Sequence, residues 1–580
     1  MKTTTCPLDC FDSCSIILDE NGKLKGDKKH PITKGFLCHH LNNFHKIPKI
    51  NKAIFCGKEI ELNEALEILY EKLKDTNPSK VLYYKGSGNL GSLQSVTRVF
   101  FAKYGATLTK GGLCEEAGIY GIEEGRGAAL ALSVNVVDKS EVVIVWGRNT
   151  SVTNSHMLPA LKGKQLIVID PRETDIAKKA DIHVAIEPRR DIYLAMLLSR
   201  IAYMEQMEDV DFIAKRCENF DYFLDEINAI PIVKLIQKCG VDLNTIGEIL
   251  SMIKGKRVSI LVGIGVQKYS HGHSVLRAID SFAALLGLFG KEGCGVGFID
   301  DSSYGFGKPF KRKAKKQIPM PTIDFGDYDI SFIQGGNPMT QLPCTPKVKD
   351  GLKRSKFVVY FGLYSNETSK MADLIIPAKT FLEKEDVKLS YGHEYIGFMP
   401  KLQESKTGIS EYELSSYLID RFAYDGLKSQ KEYIDEIISS NSVEKDGYLV
   451  SKYLQNSPYS TEFYTQSKKF EFFDEFDDEF EKNGEFYLLA VKQNRSLNSQ
   501  FYTDDYLRIP TSLGYKDGDS ITLGNSEYKC TYEVRIDDTL RDDCLALYSG
   551  GKKSNMLTPY LCSQEGYGAI YQENMVNIIT

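Results

Sequence analysis

"EVVIVWGRNTSVTNSH" occupies residues 141–156 and joins a short, continuous apolar run to a polar loop that begins at Gly147. An apolar run of this length, bounded by turn residues, predicts a strand that is buried on both faces. "QLIVIDPRETDIAKKAD" at 165–181 and "IHVAIEPRRD" at 182–191 repeat the pattern. Each run is followed by a polar turn, and helical patterns lie between them. The stretch therefore predicts a parallel sheet whose ligand-binding loops gather at the carboxyl ends of its strands.

A second set of similar segments lies downstream, at 258–273, 329–341 and 357–377. They read "VSILVGIGVQKYSHGH", "DISFIQGGNPMTQ" and "FVVYFGLYSNETSKMADLIIP". Their recurrence predicts two doubly wound α/β units that each hold a nucleotide-like ligand. From residue 485 the pattern changes to short alternating strands with turns such as "YKDGDS", which predicts a separate β-rich domain.

One glycine-rich loop bears on whether the chain could be a nicotinamide-dependent dehydrogenase. "VLYYK" at 81–85 is followed by "GSGNLG" at 86–91, formally a G-x-G-x-x-G loop after a strand. A nicotinamide site would also need a strand ending in Asp or Glu about 20 residues later. The sequence near 111 is instead "GGLCEEAG". A simple nicotinamide dehydrogenase is therefore disfavoured.

Three cysteines stand close together near the start of the chain, and a fourth follows. Cys6, Cys10 and Cys14 have three residues between neighbours, and Cys38 comes 23 residues later. Three close thiolates and one distant one suit a cubane iron-sulfur cluster, in which each of four irons takes one soft ligand. Zinc sites usually use two close pairs instead. Zinc and four unrelated cysteines remain the alternatives.

Composition narrows the class of protein. The 580 residues are 42% hydrophobic and 26% charged, with a net charge of −6. No run approaches ~20 uninterrupted apolar residues, so direct membrane insertion is not expected. The absence of a basic excess argues against a nucleic-acid partner and favours a small-molecule substrate. The start carries neither an apolar signal core nor a twin-arginine pair, so we expect a cytoplasmic protein with reduced thiols.

Taken in order, these segments resemble the molybdopterin oxidoreductase family, which includes formate dehydrogenases and dimethyl sulfoxide reductase. The resemblance rests on the four cysteines, "VWGRNTSVTNSH", "IDPRETDIAKKADIHVAIEPRRD", "QGGNPM" and "ETSKMADLIIPAKTFLEKED". It extends from Cys6 to the last strands. It implies a two-electron oxidoreductase that carries molybdenum or tungsten between two pterin guanine dinucleotides.

The resemblance implies a fold and a set of domains. We expect an iron-sulfur domain at 1–56, an α/β domain at 57–135 plus 326–480, and an α/β dinucleotide-binding domain at 136–325. A C-terminal β-barrel of the double-psi type at 481–580 would cap the pterins.

The family's cofactor positions carry over onto this sequence. The four cysteines would hold a four-iron four-sulfur cluster. The first dinucleotide would be held by Asn149, Asp170, Arg172 and Asp191. The second would be held by Gly263, Gly335, Asn337 and Thr368. Asn498 and Asn555 match positions that close over the pterins. Any one of these residues also suits a turn or a helix cap.

Cys114 in "GGLCEEAG" falls near the position of the family's protein ligand to the metal. It is the candidate ligand, because a thiolate is a good soft ligand for this metal. A buried cysteine behind a glycine turn is the alternative. Glu115, or its neighbour Glu116, would shuttle a proton, although such a pair also suits the start of a helix. His156, beside the presumed pterin loop, is a further acid-base candidate.

Two departures from the family pattern bear on function. Relatives that pass electrons from cluster to pterin often have a lysine two residues after the fourth cysteine, where this chain has His40. Formate dehydrogenases follow the metal ligand with a histidine, where this chain has Glu115, so formate is disfavoured. With one cluster motif and no flavin or nicotinamide site, the chain needs an electron-transfer protein such as a ferredoxin or an iron-sulfur subunit. A metal-free cluster-bearing subunit and a non-redox hydratase remain the alternatives.

Overall fold

The computed structural model describes residues 2–299, 301–453, 457–476 and 482–579. The chain folds into several α/β layers and a C-terminal barrel of six strands, as the sequence predicts. The domain limits stay predictions, and the predicted boundary at 480/481 lies outside the described residues. No helix in the described ranges has the length and apolar character needed to cross a membrane.

A five-stranded parallel sheet forms around residues 141–156. In spatial order its strands are Ile182–Val184, Gln165–Ile169, Val142–Trp146, Val258–Val262 and Gly295–Gly297. Every side chain of the central strand, Trp146 included, is buried, as expected for a sheet covered on both faces. The strand order reverses beside Val142–Trp146, which is where a doubly wound sheet opens a crevice for ligands.

The second sheet has eight strands. Their order is Lys316–Pro319, Thr107–Lys110, Val81–Lys85, Ile330–Gln334, Phe357–Gly362, Leu374–Pro377, Ala53–Phe55 and Lys58–Ile60. The first six strands are parallel, and the last two add antiparallel pairing at one edge. Lys316–Pro319 and Ala53–Phe55 join this sheet although the sequence analysis assigns them to neighbouring domains.

The C-terminal strands close into a barrel, which confirms the predicted change of pattern after residue 485. Around the barrel the strands are Phe486–Val491, Cys544–Tyr548, Leu507–Ile509, Lys529–Ile536, Ser520–Gly524 and Met575–Ile579. A small antiparallel sheet at the amino-terminal end consists of Lys2–Thr5, Ser15–Leu18 and Leu24–Gly26. Its first hairpin encloses Cys6, Cys10 and Cys14.

Helices cover both large sheets. Those of seven or more residues in the described ranges are Leu62–Lys74, Thr97–Tyr104, Glu116–Arg126, Asp191–Met204, Val210–Arg216, Phe220–Ala229, Ile232–Cys239, Leu243–Ile253, Gly272–Leu285, Thr345–Arg354, Glu411–Arg421 and Gln430–Ile438. Most are amphipathic and turn their apolar stripe to a sheet. Asp191–Met204 is buried along most of its length, because it packs between the five-stranded sheet and other helices.

The helix Glu116–Arg126, which begins two residues after Cys114, is fixed firmly to the five-stranded sheet. Gly121 lets it approach the helix Gly272–Leu285, since a Cβ there would lie 2.2 Å from the carbonyl oxygen of His273. At its far end the buried Arg126 guanidinium forms a bidentate ion pair with Asp280, with Nε 2.7 Å from Oδ2. The start of this helix is therefore held in a defined position.

Candidate active site

A cavity of about 350 Å³ lies between the carboxyl ends of both parallel sheets and loops of the barrel. Ten of the residues that the sequence analysis selected line it. They are Cys114, Glu115, Glu116, Asn149, Asp170, Arg172, Asp191, Gly263, Asn498 and Asn555. Strand ends from two sheets and a barrel meet here, as expected for a ligand held at the switch points of doubly wound sheets.

The loops after Val142–Trp146 and Val258–Val262 touch at the floor of the cavity. A Cβ on Gly263 would lie 1.9 Å from the carbonyl oxygen of Gly147, so glycine is required at 263. Next to this contact Asn149 Oδ1 and Arg148 Nε are buried without a hydrogen-bond partner. Buried polar atoms normally find partners, so these two atoms fit a polar ligand that enters the crevice.

Asp170 and Asp191 follow two neighbouring segments of the same sheet and differ in their partners. Burial raises the pKa of Asp170 to about 7, against the lowering effect of the Arg172 backbone N–H, which donates to Asp170 Oδ1 at 2.9 Å. Burial also raises the pKa of Asp191 to about 6, although Trp146 Nε1 donates to its carboxylate at 2.7 Å. Asp170 thus keeps a carboxylate oxygen that can accept a hydrogen bond from a ligand. The Asp191 carboxylate, by contrast, already accepts a side-chain hydrogen bond within the fold.

Arg172 ties the sheet to the barrel instead of standing free in the cavity. Its Nη2 lies 2.7 Å from Asp537 Oδ2, and its Nε donates to Thr539 Oγ1 at 2.8 Å. Asn498 and Asn555, the two candidate residues from the C-terminal domain, also make bridging contacts. Asn498 Nδ2 donates to Asp9 Oδ2 at 2.8 Å, and Asn555 Nδ2 donates to the carbonyl of Thr340 at 2.8 Å. The barrel therefore closes the cavity through contacts with both sheets and with the cysteine-rich hairpin.

Three predicted cofactor residues do not line the cavity. Thr368 Oγ1 donates to Asn337 Oδ1 at 2.8 Å, and the Thr368 backbone N–H donates to the same oxygen at 3.2 Å. Gly335 lies at the end of Ile330–Gln334 with a φ of +58° and accepts a backbone bond from Gly88 at 3.1 Å. These residues shape the two loops of the eight-stranded sheet and lie behind the cavity wall.

Cys114 lies in the cavity wall next to three ionisable side chains. Burial raises the pKa of its thiol well above the ordinary value, and the Glu115 carboxylate raises it further. Burial, with the Glu116 charge, raises the pKa of Glu115 to about 7. Lys268 was not selected from the sequence, yet its Nζ donates to the carbonyl of Leu113 at 2.7 Å, and burial lowers its pKa against the opposing charge of Cys114. Its position just after the strand Val258–Val262 is the signal that could have identified it.

The four amino-terminal cysteines come together around one small apolar core. The Cys6 backbone N–H donates to the carbonyl of Cys14 at 2.9 Å, and Cys38 packs against the same core. None forms a disulfide. Burial raises the pKa of the Cys14 thiol well above its ordinary value, and the Cys6, Cys10 and Cys38 thiols raise it further. Four soft donors thus share one buried site.

The spacing of the donors bears on the metal. Within the described ranges, no three Cys, His, Asp or Glu side chains form a group compact enough for a single metal ion. Zinc would need all four sulfurs about 2.3 Å from one ion. In a cubane each thiolate binds a different iron, so the sulfurs stand farther apart. The choice between zinc and a cluster therefore stays a prediction from the spacing of the cysteines in the sequence.

A buried lysine contacts the cysteine-rich hairpin. Lys388 is fully buried, and its Nζ donates to the carbonyl of Leu8 at 2.8 Å. It has no ion pair with a carboxylate among the described residues, and its charge opposes the effect of burial, which raises the pKa of Cys6 to about 12. A buried ammonium needs an opposite charge nearby, and a thiolate-bound cluster supplies one.

Asp9 joins the cysteine-rich hairpin to the cavity. It precedes Cys10 in the sequence and lines the cavity, and its Oδ1 accepts a hydrogen bond from the Tyr391 hydroxyl at 3.0 Å. Cys10 therefore follows a residue of the cavity wall directly, whereas Cys38 comes two residues after the exposed Phe36.

Both histidines of interest lie on the cysteine side. His156 does not line the cavity, and its Nδ1 is 2.7 Å from Asp12 Oδ2 in the hairpin between Cys10 and Cys14. His40 Nδ1 lies 3.7 Å from Cys38 Sγ, and burial lowers the pKa of His40. Both side chains therefore contact the region of the cysteines instead of a substrate in the cavity.

The comparisons with known proteins identify the family. The sequence pattern described as "Molybdopterin oxidoreductase" matches residues 58–407. This chain belongs to the molybdopterin oxidoreductase family. The chain is 26% identical over 522 residues to "Probable oxidoreductase YyaE" of Bacillus subtilis, covering 81% of this chain and 77% of that protein. It is also 26% identical over 443 residues to the F420-dependent formate dehydrogenase subunit alpha of Methanocaldococcus jannaschii, covering 66% and 64%.

Among solved structures, acetylene hydratase from Pelobacter acetylenicus has the same fold. The TM-score is 0.77 at 17% identity, and the match covers 95% of this chain and 93% of the other. At this identity the likeness concerns the fold alone. The family and its named relatives make this chain a molybdopterin-dependent oxidoreductase.

Proposed function

We propose that this chain catalyses two-electron redox chemistry of a small molecule, using two pterin guanine dinucleotides that hold molybdenum or tungsten and one four-iron four-sulfur cluster. The observation that carries the proposal is the adjacency of two sites. Asp9, next to Cys10 in the cysteine group, lines the same cavity as Cys114. Electrons from the cavity would have a short path to the cluster.

The residues present fit both groups. Cys6, Cys10, Cys14 and Cys38 would hold the cluster. Asp170 would accept two N–H donors from the edge of one guanine. Asn149 and Asp191 would line the part of the cavity that holds this first dinucleotide. Gly263 would let the second dinucleotide approach the backbone. Asn498 and Asn555 would close the cavity from the barrel. We retain Gly335, Asn337 and Thr368 as residues that shape the second dinucleotide's loops from behind.

Cys114 would be the protein ligand to the metal, and the bound metal would supply atom or hydride transfer. The chain's own groups would handle the protons. Glu115, whose pKa burial raises to about 7, can hold or release a proton near neutral pH. Lys268, with its ammonium fixed against the Leu113 carbonyl, would hold positive charge beside Cys114 and keep the cavity electrostatically balanced. His156, which contacts Asp12 in the cysteine-rich hairpin, would act near the cluster.

Asp170→Asn is expected to change stability and nucleotide content in opposite directions. The folded-state pKa of about 7 exceeds the ordinary value of 3.8, so the native state holds a proton that the unfolded chain releases between these values. Stability therefore falls as pH rises through this window. Without cofactor, the variant should melt higher than wild type at pH 8 and similarly below pH 4. Lost charge-assisted bonds should reduce retained guanine nucleotide by about tenfold or more. Unchanged nucleotide content would contradict the proposed role.

The substrate is best sought with artificial electron carriers. A redox enzyme should turn over only with a carrier that accepts or donates electrons, whereas a hydratase needs none. We therefore propose to screen anaerobically purified protein against small oxyanions, sulfur compounds and formate, with and without a viologen or quinone-like dye. Carrier-dependent turnover supports the proposal. Turnover without any carrier would favour the hydratase, and a chain with iron but no molybdenum or tungsten would favour the metal-free subunit.

The chain would exchange electrons with another protein, because its proposed cofactors include no flavin or nicotinamide. A ferredoxin or an iron-sulfur subunit is the proposed partner, and the formate dehydrogenase alpha subunits among the relatives are in keeping with this. A cluster built on four reduced thiols suits a reducing compartment, and we propose the cytoplasm.

A further inference from the structure

The segment around the fourth cysteine is strongly basic in an otherwise acidic chain. Residues 21–53 contain eight lysines and one acidic residue, a net charge of +7, while the whole chain has −6. The remaining residues therefore sum to −13. Seven of the eight lysines are exposed, and Lys49 is half-buried. A concentration of like charge in one segment gives that segment a positive local field.

Most of these charges are not neutralised within the fold. Lys28, Lys29, Lys34 and Lys46 form no ion pair with any described residue. Two carboxylates near these lysines have partners within the fold, while Glu20 is exposed without an ion pair among the described residues. Asp19 pairs with Lys25 at 2.9 Å, and the buried Asp27 accepts from Ser15 and from the backbone of Lys29.

The neighbouring residues 380–404 add one exposed carboxylate without an ion pair among the described residues, that of Glu385, while two others have partners. Glu383 accepts a hydrogen bond from the Thr380 backbone at 2.7 Å, and Glu404 pairs with Lys401 at 2.6 Å. Lys28, Lys29, Lys34 and Lys46 thus face solvent without an ion-pair partner among the described residues.

Apolar groups lie beside these charges. Phe36 is 54% exposed two residues before Cys38, and its ring edge contacts the buried His156 at 5.2 Å, which fixes its position. Two residues after Cys38, the ring of His40 contacts the ring of Phe501, with their centroids 4.7 Å apart. Tyr502, which follows Phe501, is 45% exposed. Exposed aromatic side chains beside a charged rim are typical of a protein interface.

We infer that the lysines of 21–53 and the aromatic pair Phe36 and Tyr502 form a docking surface for a small acidic electron-carrier protein. The inference rests on the proposed function, since it assigns the cluster's exchange partner. In the direction of reduction, the carrier's reduced iron-sulfur centre loses one electron and the cluster at Cys38 gains it, with no bond made or broken. Cys38 lies within this segment, whereas Cys10 follows the cavity-lining Asp9, so docking here places the carrier beside the cysteine that is farther in sequence from the cavity wall.

Charge complementarity selects an acidic protein over other anions. Nucleic acid would meet lysines on one segment only, while the rest of the chain repels phosphate. A small protein with one acidic face can match the patch and keep its remaining surface away from the acidic bulk of the enzyme. The same match speeds encounter at low salt and weakens as salt screens it.

The test uses the cluster-loaded full chain and a two-iron ferredoxin of net negative charge. The variant K28E/K34E/K46E reverses three unpaired lysines of the surface. The matched control K234E/K254E/K516E changes the net charge equally at exposed lysines outside it. The ferredoxin Kd is measured from about 50 to about 300 mM salt. Reduction of the cluster is followed by its visible absorbance, with reduced ferredoxin and separately with dithionite.

We expect the surface variant to bind ferredoxin at least about tenfold more weakly at low salt and to lose most of its salt dependence, with the control within about twofold of wild type. Dithionite should reduce the cluster equally in all three proteins. Equal ferredoxin binding by the surface variant and the control would overturn the docking surface. So would ferredoxin failing to bind while a DNA duplex or anionic vesicle binds through the same lysines. A wild-type chain with no absorbance that dithionite bleaches would instead count against the proposed cluster.

Discussion

Cys10→Ala is expected to remove most of the iron from the protein and nearly all carrier-dependent activity, while the guanine nucleotide content stays close to that of wild type. Each thiolate of a four-iron cluster holds a different iron, so losing one leaves an iron without its protein ligand. Cys10 is the cysteine that directly follows Asp9, which lines the cavity. Its loss should therefore interrupt the path between cavity and cluster most directly.

The nucleotide content separates this effect from general misfolding. The groups proposed to hold guanine come from the five-stranded sheet, whose core does not include the cysteine group. Cys294→Ala removes a buried cysteine from that core and serves as the matched control, with iron and activity retained. Iron is counted by elemental analysis and nucleotide by chromatography of the denatured protein. Unchanged iron in Cys10→Ala would show that Cys10 is not a cluster ligand.

Cys114→Ala is expected to lower turnover more than a hundredfold without loss of iron or guanine nucleotide. Removing a residue that merely supports a metal ligand costs about ten- to a hundredfold, and removing the ligand itself should cost more. Cys114 lies in the cavity wall at the start of the anchored helix Glu116–Arg126, so its backbone should keep its place in the variant.

Cys114→Ser distinguishes ligation from packing. Serine keeps the size of the side chain and offers an oxygen ligand, so we expect partial activity and an altered electron paramagnetic resonance signal of the metal. If Cys114 were only a buried cysteine behind a glycine turn, alanine and serine would both retain near wild-type turnover and an unchanged metal signal.

The sequence predicts the sheets well because buried parallel strands have few alternatives. Runs such as Val142–Trp146 and Phe357–Gly362 are apolar throughout and bounded by turn residues, and both form buried strands. Membership of a sheet is harder to predict. By its pattern alone Val258–Val262 reads as the first member of the downstream set, yet it pairs with Val142–Trp146, in keeping with the domain limits 136–325 that the family resemblance implies. The barrel strand Leu507–Ile509 is too short to give a pattern.

The candidate site is predictable where a residue directly follows a strand. Asn149, Asp170 and Gly263 do so and line the cavity. Asn337 and Thr368 also follow strands, but their side chains bond to each other, and spacing along the chain does not reveal such a pairing. Lys388 is missed because it stands among mixed residues, and only tertiary folding carries it to the cysteine hairpin. Tyr391 and Asp9 meet for the same reason, across a long separation in sequence.

The central claim is that one chain holds a cluster and a pterin-bound metal side by side. The most direct measurement is the content of iron, molybdenum, tungsten and zinc per chain in anaerobically purified protein, with released guanine nucleotide measured in the same sample. We expect about four irons, one molybdenum or tungsten and two guanine nucleotides. Zinc at one per chain without iron, or iron without either heavy metal or guanine nucleotide, would contradict this account.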